Sequence, residues 1–112
     1  MRRQHPLSVA NLIKNIRANE DRCESYCIYG EGDSADATLS SICVLDIYPE
    51  ITDELEEIYP QFVSERDMEM WFRDELVQDV VANAKHQDPN VTDATILDAI
   101  KHYDETDSFL EL

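Results

Sequence analysis

The sequence predicts an α+β domain, with one small antiparallel sheet of about three strands packed with three to four helices. Three observations carry this. Apolar residues recur with helical spacing in three stretches, at 8–19, 74–86 and after Thr92. Three other runs, at 24–30, 41–47 and 68–73, are rich in aromatic or β-branched residues or alternate as strands do. The chain of 112 residues, 43% of them hydrophobic, is long enough for one core and too short for two, so residues 1–112 read as a single domain.

In the first stretch, Ser8 precedes Val9, Leu12, Ile13 and Ile16, which fall at i, i+3, i+4 and i+7. A helix over 8–19 follows, with Lys14 and Arg17 near the end where cations favour the helix dipole. Its basic face is expected to be solvated rather than clamped onto the acidic remainder of the chain. Residues 24–30, ESYCIYG, form the first strand, and EGDSADATLS after it is a loop rich in turn formers. The second strand, 41–47, pairs with the first as an antiparallel hairpin across this long acidic loop.

Between Pro49 and Pro60, ITDELEEIY gives one or two short turns, with Thr52 placed to cap a short helix bearing Leu55, Ile58 and Tyr59. In DMEMWFR, Met68, Met70 and Phe72 alternate with Glu69, Trp71 and Arg73, which predicts a third strand in preference to an unbroken helix from Ser64 to His86. Asp74 and Glu75 then start a helix whose apolar face is Leu76, Val77, Val80, Val81 and Ala84. Thr92 caps a last helix with Ile96, Leu97, Ile100 and Tyr103 inward, and the tail docks back through Phe109, Leu110 and Leu112.

Charge narrows the choice of partner. Twenty-five acidic residues against nine basic ones give a formal charge of −16. The acids are unevenly placed: residues 1–19 hold four basic and no acidic residues, residues 20–57 one basic and twelve acidic. Such a field repels nucleic-acid phosphates and anionic membranes and steers cationic partners inward at low salt. The partner expected is therefore a basic protein, with no direct nucleic-acid contact and no membrane. The N-terminal RR is followed by Asn11, Lys14, Asn15 and Arg17 rather than by an apolar secretory core, and no run reaches the roughly 20 apolar residues of a membrane span, so a cytoplasmic chain is expected. The charge also disfavours self-association, which leaves a monomer in a 1:1 complex.

No constellation of residues points to catalysis, a metal or a cofactor. Cys23, Cys27 and Cys43 lack the two-residue knuckle spacing of zinc sites and read as reduced thiols, two of them in strand patterns. Glu31, Asp33 and Asp36 lack the calcium-loop register. His5, His86 and His102 stand apart, and no phosphate loop or nucleophile elbow occurs. A binding protein is the expectation, and its candidate contact residues are Asp46, Tyr48, Glu50, Asp53, Glu54, Glu56, Glu57 and Tyr59. There, acids interleave with large side chains, as suits a compact protein interface better than the even carboxylate spacing of a DNA mimic.

The PQFV segment at 60–63, the Trp71-Phe72 strand and the closing I-K-H-Y-x-x-x-D-S-F-L pattern at 100–110 resemble a group of small bacterial proteins. Some of these look like immunity proteins of contact-dependent growth inhibition and related polymorphic toxin systems. The resemblance covers residues 40–112 and carries no functional residue with it. It implies an immunity protein that binds and neutralises a cognate toxin domain, commonly a nuclease with a basic cleft, by charge-complementary occlusion. The alternative is an acidic adaptor or DNA-mimic inhibitor of DNA-binding proteins.

Overall fold

Ser8 closes a two-residue strand and opens a helix. Strand β1 (Leu7–Ser8) runs straight into α1 (Val9–Arg17), where Ser8 Oγ accepts the Asn11 N–H at 3.1 Å. That bond satisfies one of the donors a helix start leaves without an internal partner. Val9, Leu12, Ile13 and Ile16 are buried, as their spacing predicts. The computed structural model describes residues 3–18 and 25–112. The predicted helix end at Asn19, the strand start at Glu24, and Cys23 lie outside the described residues.

The chain continues through β2 (Cys27–Gly30), a 3-10 turn at Ser34–Asp36, β3 (Ile42–Asp46), and a small hairpin of β4 (Glu50–Ile51) and β5 (Glu57–Ile58). It ends with α2 (Gln61–Ser64), β6 (Glu69–Arg73), α3 (Asp74–Gln87) and α4 (Asp93–Thr106). The fold is α+β, with a four-stranded sheet in the order β1-β3-β2-β6 and every neighbouring pair antiparallel. The fourth strand is the short β1, too brief to register as a period-two pattern.

Alternation along the strands divides the core in two. Ile28, Cys43 and Leu45 face the layer built by α1, α3 and α4. Cys27, Tyr29 and Val44 face the other way, against Val63 of α2 with Tyr59, Phe62, Met68 and Met70 around it. The sheet is therefore covered on both sides, by long helices on one and by residues 59–68 on the other. Cys27 and Cys43, considered above as metal ligands, lie on opposite faces, and Asp33 uses its carboxylate to cap the 3-10 turn, accepting the Ala35 N–H at 2.9 Å.

β6 departs from simple alternation. Ile28 pairs with Phe72 and Tyr29 with Met70, so Trp71 is the extra residue of a β-bulge. The bulge places Trp71 beside Phe72 in the helix-side core, whereas Met70 joins the other face. Strict alternation put Met70 and Phe72 together, and the inserted residue is why they part. The Trp71 ring lies over Gly30, where any Cβ would overlap its Cζ2, Cη2 and Cε2, and its Nε1 donates to the Gly32 carbonyl at 3.0 Å. Gly32 itself turns the chain at φ 76°.

The basic end of α1 is clamped, contrary to the expectation of a solvated face. Arg17 Nη1 donates to the Val91 carbonyl at 2.6 Å and to Asp93 Oδ1 at 3.0 Å, while Lys85 Nζ donates to the Arg17 carbonyl at 2.9 Å. Only Lys14 stays exposed there. Further along α4, Lys101 Nζ donates to the carbonyls of Ala35 and Ala37 at 3.0 and 2.6 Å, tying the 3-10 loop to that helix. No helix among the described residues is long and apolar enough to cross a membrane.

Burial makes the two described thiols poor acids: Cys27 is pushed up to about 11 and Cys43 to about 12. A group whose pKa rises on folding contributes stability in full below its unfolded value and loses it as pH climbs through the folded one. With the unfolded value at 9.0, that loss falls between about pH 9 and 12. The urea midpoint should accordingly drop between pH 8 and pH 10.5. Ellman's reagent at pH 8 should leave Cys27 and Cys43 unlabelled until the chain unfolds.

Candidate protein-interaction surface

β3 ends at Asp46, and past Pro49 the chain makes a ribbon on its own. Glu50 pairs with Ile58 and Ile51 with Glu57. Residues directly opposite share a face, so each face of the hairpin carries one carboxylate and one isoleucine. Neither isoleucine is buried: Ile51 is 59% and Ile58 51% exposed.

The turn explains why a hairpin stands where short helical turns were expected. Thr52 does cap, but it caps the loop: its N–H donates to the Glu56 carbonyl at 2.9 Å, and its Oγ1 accepts the Glu56 N–H at 3.1 Å. The Leu55 N–H returns to the Thr52 carbonyl at 2.9 Å, with Leu55 at φ 65°. A three-residue loop whose last member is left-handed is a common hairpin connection, normally signalled by glycine. Here the position holds leucine, with 82% of its surface exposed.

Aromatic side chains root the hairpin. Tyr48 donates a short hydrogen bond to Asp74 Oδ1, at the first turn of α3, and Asp74 Oδ2 also accepts the Tyr26 N–H at 3.4 Å. Burial first, then the bond to Asp74 and its charge, raises the Tyr48 hydroxyl above the usual phenol range. Tyr29 donates to the Ile47 carbonyl at 2.8 Å, and Tyr59 meets the Tyr29 ring edge-on with centroids 5.8 Å apart. Tyr48→Phe should cost about 1.5 kcal/mol, the lower end for a hydrogen bond to a charged group, because Asp74 is buried and loses a donor. Chemical denaturation of the two proteins in parallel checks this.

The predicted contact residues separate into three groups. Glu50, Asp53, Glu54, Glu56 and Glu57 are all exposed, and none makes an ion pair among the described residues. Tyr48 is exposed at its rim, while Tyr59 is half-buried against Tyr29. Asp46 does not belong to this surface: it is 2% exposed, accepting the Ile47 N–H at 2.8 Å and Gln4 Nε2 at 3.2 Å. As the last residue of β3, it spends its charge on the backbone and on the N-terminal arm.

Sequence reasoning missed Ile47, assigned to the strand core yet 43% exposed just past the end of β3. With it, Ile47, Tyr48, Ile51, Leu55 and Ile58 make five of the eight large exposed hydrophobics among the described residues. Carboxylates that make no ion pair among the described residues lie here beside uncovered aliphatics, the mixture of charge and apolar surface found in many protein interfaces.

The fold and this surface define a small acidic α+β domain with a protruding apolar and anionic hairpin. The chain belongs to the family described as Domain of unknown function (DUF7716), whose match spans residues 7–112. No curated protein and no solved structure matches it.

Proposed function

We propose that this protein is an immunity protein, binding a basic toxin domain of nuclease type through the β4–β5 hairpin and neutralising it by occlusion. One observation carries the reading most. Leu55 stands at the hairpin tip in a backbone conformation that glycine would adopt freely, and its side chain is 82% exposed. A strained, solvent-facing leucine contributes nothing evident to the fold, and such strain clusters at binding sites. The exposed carboxylates, without ion pairs among the described residues, supply the attraction to a cationic cleft, and Ile51, Leu55 and Ile58 supply the apolar hold.

Expression of the chain together with the protein encoded beside it tests the reading. A basic neighbour whose toxicity this chain cancels, in a 1:1 complex, supports it. A neighbour with no toxicity, or capture of several unrelated DNA-binding proteins, overturns it in favour of an adaptor or a mimic. Within the complex, replacing Glu54, Glu56 and Glu57 together by lysine should slow association about tenfold at low salt, with a smaller change in dissociation. Stopped-flow measurement at two ionic strengths separates the two rates, and unaltered association removes this patch from the interface.

A further inference from the structure

The four-stranded sheet ends at β6. This strand pairs with β2 along one edge and, among the described residues, with no strand along the other. A free edge offers N–H and C=O groups to an incoming extended chain, although the bulge at Trp71 and the charged Glu69 and Arg73 restrict regular pairing to part of β6. Two clefts border this one. One of about 370 Å³ is reached past Gly32, Asp33 and Glu69, the other of about 320 Å³ past Glu75, Asp79 and Asp104, and Met70 and Trp71 line both.

The lining is anionic. Asp33 and Glu69 stand on the first cleft, and Glu75, Asp79 and Asp104 on the second, against Arg73 as the one basic residue of the two. None of these five acids makes an ion pair among the described residues. Asp104 has its carboxyl raised by partial burial first and then by the charges of Asp107 and of Asp33 on the first cleft, so added negative charge is disfavoured there. A cation brought to these clefts would be favoured by the same charges.

We infer that the free edge of β6 is a docking site for an extended, lysine- or arginine-bearing segment of a partner protein, taken up as a fifth strand of the sheet. Main-chain hydrogen bonds to β6 would hold the segment, and the flanking acids would select its charge. A second copy of this chain is the competing occupant. An antiparallel β6 pair would set Glu69 against Arg73, yet it would also bring together two chains of formal charge −16. The inference shares no residue with the hairpin and does not rest on the function proposed for it.

The test uses the full chain, ¹⁵N-labelled, titrated with a short peptide alternating lysine and valine, and with the same peptide N-methylated at alternate amides. Docking as a strand requires that the amides of residues 69–73 shift and gain protection from hydrogen exchange. It also requires that N-methylation, which keeps the charge but removes the donors, weaken binding by about tenfold or more. Asp104→Lys, at an exposed helix position, should weaken the parent peptide about fivefold. Equal binding of the N-methylated peptide, shifts confined to residues 50–58, or no binding overturns the inference. So does a free chain that sediments as a dimer with residues 69–73 already protected.

Discussion

Leu55→Gly should leave the protein as stable as the parent, or up to about 1 kcal/mol more stable, while weakening its partner complex about tenfold or more. A non-glycine residue in the left-handed region costs on the order of 1–2 kcal/mol, and glycine returns part of that as extra freedom in the unfolded chain. The side chain removed is 82% exposed, so the core loses nothing. In the complex proposed above, the same leucine would be a buried anchor at the hairpin tip, where truncation commonly costs about 2 kcal/mol or more. Thermal unfolding and titration calorimetry with the cognate partner give the two halves of the result. Leu55→Asn, which tolerates the left-handed backbone, should behave alike. A fall in stability of more than about 1 kcal/mol would assign Leu55 to the fold, and unaltered affinity would remove it from the interface.

Gly30→Ala should destabilise the protein by about 3 kcal/mol, the upper end of overpacking costs, although it adds a single methyl group. The new Cβ would overlap three atoms of the Trp71 ring, and Trp71 is 5% exposed, with core around it and its Nε1 bonded to the Gly32 carbonyl. Either the ring gives up that bond or β2 moves away from β6. A double-mutant cycle identifies the cause: in a Trp71→Leu background the added methyl should cost about 1 kcal/mol or less. An equal cost in both backgrounds would place the strain in the strand backbone instead.

What the sequence disclosed follows from how local each signal is. The helix over Val9–Arg17 and the two over Asp74–Gln87 and Asp93–Thr106 have their periodicity and, at Ser8 and Thr92, their caps written within a few residues of each other. The strands at Cys27–Gly30 and Ile42–Asp46 were legible for the same reason. β1 was not, because two residues form no pattern and owe their strand state to pairing with Cys43 and Ile42, far along the chain. The hairpin was hidden by its turn, since a leucine at the left-handed position removes the glycine that would have announced it. For the candidate surface, the five exposed acids were readable from charge density. The burial of Asp46 was not, because its neighbours include Gln4, 42 residues away.

Arg17 reaches over 74 residues to Val91 and 76 to Asp93, and Lys85 reaches back over 68 to Arg17. These ties join the first helix to the last third of the chain, just as the sheet needs β6 before its central strand β2 has both neighbours. During synthesis, α1 therefore emerges from the ribosome long before α3 and α4, the helices packed beside it, exist. Complete packing waits for nearly the whole chain, and a nascent fragment that stops short of Asp93 lacks part of the cover of its first helix. The candidate surface likewise depends on later chain, since Tyr48 is anchored only once Asp74 is in place.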